Sequence, residues 1–599
     1  MKRLLHLIFL LVPAAASIAA EPDNIVIVSA DESYSFRQHD GNWTVDNRIS
    51  TEYEATRMPG TVVSQAFYSD RIKLDKASGK GKADYRHASS DHIFHDDSRL
   101  CTFVIGLDSK GKKTKTEFRR TFTDPVYFTK IPLADIYPIR HKTVTITVPA
   151  EITGITVRAF NAPATGVNVT ETTGNNGERI FRCTAEGLPA IHDEPARPAA
   201  LTVDPYLLIG GWFADVAALY RWEHDISTVD CAIPESHAFL NSIVSEGAPD
   251  GEKIDSTLRW IQRNIRYIAY EEGDAGHRPD TPAEVIRKRY GDCKGMAVLL
   301  ATLLQLQGLD ASPASVGTRD VPFKIAENPS LAAADHFICV VNPASSAPLY
   351  LDPTARHTPA GHIPYSISGK DVLVHRGDGY LLLDIPESVP ESSTDELRFD
   401  YTMTDGKLTG AATRRFSGDF REWFMQQLEA VRADRHKEAL ATVISPHDNA
   451  GVSTESISLT DNRVISIDGK IMNTRALSES DERLYVDLNT DSDPFTARID
   501  TLGRVNDFML PFPAVIRRIA TMTIPSGLTV TYLPENFSET TPQGTFSCTF
   551  AISGNTVSMT KTAVIAEPRI KVSDLPAWNA SLLRWADACN SQIEFSKSK

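Results

Sequence analysis

Three side chains in the middle of the chain have the types and the order that thiol chemistry needs. Cys293 stands in the run Tyr290-Gly291-Asp292-Cys293-Lys294-Gly295-Met296. Asp292 is a helix-capping residue type, so Cys293 falls in the first turn of the helix that follows. There, unsatisfied backbone N–H groups and the positive end of the helix dipole favour an anion. The thiolate is the nucleophilic form of cysteine, and such a position eases its formation. A thiol nucleophile also needs a base, and the base needs an orienting group. His336 opens the run His336-Phe337-Ile338-Cys339-Val340-Val341, and Asp352 closes Tyr350-Leu351-Asp352. If the two runs are neighbouring strands, the imidazole can face Cys293 while Asp352 accepts from its other nitrogen. The chemistry is then acyl transfer through a thioester on Cys293.

The surrounding elements must hold these groups still. Trp212, Val216 and Leu219 recur at helical spacing, and Ile254, Leu258, Ile261, Ile265 and Ile268 predict a second helix with one apolar face. Thr281-Pro282-Ala283-Glu284 is a capping box with proline at the first helical position, which predicts a short helix to about Arg289. Met296, Leu299, Leu300, Leu303 and Leu304 predict that the Cys293 helix is buried until Gly308 stops it. Two short strands, Asp335–Val341 and Leu349–Leu351, complete an α+β unit. On either side the pattern is period two. Asn24–Ala30, Trp43–Thr56, Thr61–Tyr68, Thr143–Pro149 and Ile155–Phe160 predict an N-terminal β-sandwich. After Pro386 strands return, with one helix expected from Phe420 to about Ile444 and a closing helix over Leu575–Asn590. The expected division is a leader over 1–20, a β-sandwich over 21–200, the α+β core over 201–388 and a β-rich domain over 389–599.

Composition bounds the function. The 599 residues carry 62 Lys and Arg against 77 Asp and Glu, a net charge of −15, with no long basic run. That argues against a nucleic-acid partner, whose phosphates need clustered cations. Lys2 and Arg3, the apolar run Leu4–Val12 and the small residues Ala14–Ala20 read as a secretory signal peptide, so the protein is expected to be exported, periplasmic or extracellular. No later apolar stretch is long enough for a transmembrane span. The seven cysteines have no CxxC or Cys/His zinc spacing, and their odd number leaves at least one thiol without an intrachain partner. His92, His95, Asp96 and Asp97 form an H-x-x-H-D-D cluster that reads as a solvated hairpin, so neither metal nor cofactor is expected. Cys339, mid-strand, reads as core, and His277 and His357 as surface or rim residues.

The stretch from Arg278 to Ala311 (RPDTPAEVIRKRYGDCKGMAVLLATLLQLQGLDA), the DHFICVV strand and the LDPTAR strand resemble the transglutaminase-like superfamily. In detail the chain is similar to bacterial exported proteins in which such a core follows an N-terminal domain of the DUF3857 type. The resemblance implies a multidomain α+β protein with a papain-like transglutaminase core between β-sandwich-like domains. Residue by residue, Cys293 matches the nucleophile, His336 the general base and acid, and Asp352 the orienting carboxylate. A second oxyanion donor is usual beside the cysteine N–H in such folds; Tyr267, Tyr270 and Trp260 are candidates, and spacing does not choose among them. The expected activity is hydrolysis of a peptide or protein amide; the sequence does not name the substrate, and the cell envelope is one source for it. A cross-linking transglutaminase and a non-catalytic envelope scaffold are the alternatives. The sequence assigns no oligomeric state.

Overall fold

The computed structural model describes residues 24–88, 93–96, 98–163, 166–271, 276–447, 450–480, 482–489 and 497–597. The leader-like segment 1–20 lies outside them. The chain forms two compact units: Met1–Pro195, Ala199–Thr354 and Gly369–Ile385 make the first, and Ala196–Pro198, Ala355–Ser368 and Pro386–Lys599 the second.

In the first unit, the N-terminal strands build two sheets that share one core. The larger has seven strands, in the order Val167–Thr173, Arg179–Leu188, Ile139–Val148, Ile25–His39, Asn42–Ala55, Lys113–Phe122 and Ile72–Ser78. The smaller has Arg99–Leu107 between Gly60–Tyr68 and Asp84–His87. Alternation decides which side chains meet: Tyr34, Val45, Phe118 and Ile146 from the large sheet pack with Val62, Phe103 and Ile105 from the small one.

The rest of this unit is built around a five-stranded antiparallel sheet, ordered Leu349–Leu351, His336–Val341, Ala311–Val316, Asp371–Arg376 and Gly379–Asp384. The helix Cys293–Leu306 packs on one face, against the two strands Ala311–Val316 and His336–Val341. The other face carries the helix Val216–Ser227, whose Glu223 accepts from Ser315 Oγ at 2.8 Å. Only two of these five strands are expected from sequence. Ala311–Val316 contains a proline and small residues that give no strand pattern, and the last two strands are a hairpin of short apolar runs about Gly377-Asp378-Gly379. The helix Asp250–Asn264 ends one turn earlier than its isoleucine spacing predicts. Ile265 is extended, and Arg266–Tyr267 pairs in parallel with Tyr290–Gly291, so tertiary pairing overrides the local pattern.

The second unit is built on a large sheet. Its strand Thr394–Thr404 pairs in parallel with Ala514–Thr523 and antiparallel with Lys407–Phe416. A four-stranded sheet includes Arg483–Val486 and Ile593–Lys597. The helix Leu575–Cys589 buries Trp578, Leu582 and Trp585 in this core. The single helix expected over Phe420–Ile444 is two, Asp419–Ala430 and His436–Val443. β-Branched Val431 adopts an extended conformation between them and ends the first.

Candidate active site

The Cys293 helix starts where its sequence requires. Asp292 is extended at the N-cap, and its Oδ1 accepts from the Gly295 N–H at 2.8 Å, while its carbonyl accepts from the Met296 N–H at 2.9 Å. The first turn is thus fixed, with Cys293 at the first helical position. Eleven of its fourteen residues, from Lys294 to Leu304, are buried, so the helix is anchored on all sides and its first residue has little freedom. Gly291 and Gly295 permit this packing. A Cβ on Gly291 would stand 3.2 Å from a Val285 methyl, and one on Gly295 would stand 3.2 Å from the other Val285 methyl. Val285 lies on the helix Pro282–Lys288, which has the expected capping box and ends at Arg289 in the left-handed region. Behind Cys293, the buried Lys294 ammonium pairs closely with Asp292 Oδ2. Sequence patterning gave no sign of that pair, since a lysine beside the cap reads as solvated.

Strand register delivers the other two groups. Val316 pairs with His336 and Ser315 with Phe337. Ser315 faces Glu223 and the ring of Phe337 meets His375 at 5.9 Å, so both point to the far face. His336, one residue before Phe337, points to the face that carries the Cys293 helix. Asp352 follows Leu351, which pairs with Cys339, and falls in register on the same face as His336. His336 Nε2 hydrogen-bonds Asp352 Oδ2 at 2.9 Å, and the imidazole stands close enough to Cys293 for the sulfur to act on its charge. With Nε2 committed to the carboxylate, Nδ1 is the nitrogen for the thiol. The remaining Asp352 oxygen accepts from the Thr354 N–H at 2.9 Å and the Thr354 hydroxyl at 2.7 Å, so the carboxylate cannot swing. Burial disfavours the His336 cation, but the charge and hydrogen bond of Asp352, then Cys293, outweigh it and hold the imidazole well above its ordinary range. Burial likewise opposes the Asp352 anion, yet His336 and Thr354 keep its carboxyl below the usual range. Cys293 and His336 remain partly exposed, so the sulfur is not sealed inside.

The other sequence candidates fall out differently. Cys339 is fully buried, and desolvation pushes its thiol well up. His277 is partly exposed, as a rim residue is, but packed among aromatic rings. It lies between the rings of Tyr127, at 5.6 Å, and Trp222, at 5.2 Å. Burial first, then Lys294 and Arg71, bring its pKa down to about 4. His357 is also partly exposed: it belongs to the second unit, where its side chain is 11% exposed and faces Glu429 at 3.3 Å. Among the oxyanion candidates, Tyr267 has its backbone paired with Gly291, two residues before Cys293, whereas Trp260 packs against Phe239 and beneath Arg289. The Tyr270 side chain and the His92, His95, Asp96, Asp97 cluster lie outside the described side chains. Among the described residues, no group of three or more His, Cys, Asp or Glu is arranged to hold a metal, and no helix is long and apolar enough to cross a membrane.

Residues 237–322, which include the capping-box helix and the start of the Cys293 helix, match the transglutaminase-like superfamily. The chain carries a transglutaminase-like core. The match ends before His336 and Asp352, which the sheet brings to the core's helix. Residues 483–595 match DUF3858, a domain family of unknown function with a solved structure. A crystal structure from Parabacteroides distasonis, described as a "putative protease", is similar over 96% of this chain and 99% of its own, at 14% identity and a TM-score of 0.59. That likeness establishes a shared multidomain α+β fold, with β sheets flanking the transglutaminase-like core. Native leukotriene A4 hydrolase from Saccharomyces cerevisiae overlaps 41% of the chain and 46% of its own at 10% identity, with a TM-score of 0.19, too low to carry an argument. No curated protein matches the chain.

Proposed function

We propose that the protein is a thiol amide hydrolase acting through Cys293, His336 and Asp352. The supporting observation is a single imidazole hydrogen-bonded to a buried carboxylate and placed beside a helix-terminal cysteine. The Cys293 thiolate attacks the carbonyl carbon of an amide, and the oxyanion forms beside the helix-terminal N–H groups. His336 gives its proton to the leaving amine, the C–N bond breaks and a thioester remains. Water then attacks the thioester while His336 accepts a proton, and carboxylate and thiol are released. The substrate is a peptide or protein amide, and cell-envelope peptides are the class to try first. The leader-like first twenty residues support export, to a periplasm or to the medium.

The test is incubation of the protein with envelope and general peptide libraries, with and without an added primary amine, beside Cys293→Ala. Mass spectrometry reads the products. Gain of water at a cleaved amide, absent in Cys293→Ala, is the expected result. Products carrying the added amine would assign transamidation instead. Unchanged peptides, together with a Cys293 thiol that alkylates no faster than a free cysteine near pH 6, would assign a binding protein.

A further inference from the structure

In the second unit, two cysteines that the proposed chemistry does not use lie against each other. Cys548 is mid-strand in Gly544–Ser553, flanked along the same face by Phe546 and Phe550, and Cys589 is the last residue of the helix Leu575–Cys589. Contacts away from the sulfurs fix the helix over that strand. Trp585, one turn before Cys589, donates from Nε1 to the carbonyl of Ser547 at 2.8 Å and meets the Phe546 ring at 5.3 Å. Trp578 meets the same ring at 5.2 Å. Both cysteines are fully buried in the same core, and Cys589, one turn past Trp585 on the same helix face, comes down beside Cys548, the residue after Ser547. Beside them, Lys561 pairs with Cys548 across the sheet and holds its ammonium over the Trp585 ring at 4.8 Å. A buried pair of thiols is inert in a reducing compartment and forms a cross-link in an oxidising one when the backbone already brings the sulfurs together.

We infer that Cys548 and Cys589 form a disulfide that fastens the closing helix to the sheet beneath it. The oxidant is an exogenous disulfide, either oxidised glutathione or the oxidised form of a thiol–disulfide oxidoreductase. A Cys589 thiolate first attacks that disulfide, forming a mixed disulfide and releasing one thiol. Cys589 reacts first because it ends its helix, where opening of a single turn exposes it, while Cys548 is held in mid-strand. The Cys548 thiolate then attacks the Cys589 sulfur and releases the second thiol. Overall two S–H bonds and one exogenous S–S bond are exchanged for one protein S–S bond and two exogenous thiols. The Lys561 ammonium, paired across the sheet with Cys548, favours the thiolate that makes the second attack. The remaining cysteines fit this assignment: Cys101, Cys183 and Cys339 are buried, Cys231 is exposed and Cys293 sits at the candidate site.

The experiment uses the full chain with Cys293→Ala, which removes the most reactive thiol and makes the outcome independent of the proposed hydrolysis. Of seven cysteines, six then remain. The protein is refolded in a glutathione redox buffer, alkylated and digested without reductant. Mass spectrometry should find the Cys548 and Cys589 peptides joined, and thiol counting should find two of the six thiols lost. Reductant should lower the thermal midpoint of this protein and leave that of the Cys293→Ala/Cys589→Ser variant unchanged. Six alkylated thiols after oxidising refolding, or a cross-link between any other pair, overturns the inference. Peptide mapping needs no variant at either sulfur, so it decides the matter even if Cys589→Ser folds poorly.

Discussion

Replacing Asp352 with Asn tests the site most directly, because the change preserves shape and removes a single charge. In the wild type, Asp352 Oδ2 faces His336 Nε2 at 2.9 Å while Oδ1 takes two hydrogen bonds from Thr354. Thr354 still donates to whatever stands there, so it selects the orientation in which the new amide oxygen faces Thr354 and the NH2 faces His336. That NH2 can only donate, so Nε2 must become the acceptor and the imidazole proton moves to Nδ1, the nitrogen aimed at Cys293. A protonated Nδ1 on a neutral ring cannot take the thiol proton. Apart from the tautomer, the substitution removes a charged hydrogen bond to a buried group, worth about 1.5–3 kcal/mol. At 1.36 kcal/mol per tenfold, the ion pair of thiolate and imidazolium should become about 10- to 150-fold less populated. The assay is the rate of Cys293 alkylation by iodoacetamide from pH 5 to 9, with thermal unfolding as the check on folding. Asp352→Asn should lose at least tenfold in rate near pH 6 and approach the wild type only at high pH. A folded Asp352→Asn that alkylates at the wild-type rate near pH 6 would refute the claim that this carboxylate tunes the sulfur through the imidazole.

Other perturbations follow from the same geometry. Asp292→Ala removes an N-cap, costing about 1 kcal/mol, and takes away the carboxylate facing the buried Lys294 ammonium, about 3–5 kcal/mol more. Urea unfolding should show that loss, and adding Lys294→Met should recover most of the second part; no recovery would deny the coupling. His277 is held to about 4 against 6.5 unfolded. Its folded value is depressed, so stability present above about pH 6.5 should fall by ~3 kcal/mol as pH drops through about 4. His277→Phe should flatten that acid limb, and an unchanged slope would contradict the burial argument. His336 has the opposite sign. Its folded value is raised, so its contribution is fully present below its unfolded value and fades as pH rises through the folded one. Asp352, depressed, contributes above its unfolded value and loses that contribution as pH falls. The stability gap between wild type and His336→Ala should therefore be wider at pH 5 than at pH 9, and a gap that widens toward pH 9 would reverse the assignment.

The parts of the site that were legible in sequence are those set by local chemistry. Asp292 before an apolar run, and the Thr281–Glu284 box, announce helix starts because capping is a contact over three residues. The Met296–Leu304 leucines announce a buried helix because their density leaves no polar face. What was not legible depends on neighbours distant in the chain. Ala311–Val316, with Pro313 inside it, becomes a strand because His336–Val341 and Asp371–Arg376 bond to its two edges. Thr354 is an ordinary residue until the turn after Asp352 brings both its donors to one oxygen. The rim position of His277 was legible, but its packing against Tyr127, from the N-terminal strands' side of the unit, was not. Asn264 ends its helix despite the apolar spacing that continues to Ile268, since a two-residue pairing with Tyr290–Gly291 competes for the same backbone.

The pleat of His336–Val341 also constrains how such chains can diverge. Adjacent residues on that strand serve opposite sides, with His336 toward Cys293 and Phe337 toward His375. Insertion of one residue between His336 and Phe337 would turn the imidazole to the wrong side while leaving the pairings of Phe337–Val341 possible. The result would be a well-folded but silent protein, indistinguishable from its parent by unfolding curves. Length variation among descendants should accordingly collect in the largely exposed stretch 342–348 between this strand and the next, where an extra residue alters no facing, and should be purged from within the strand itself.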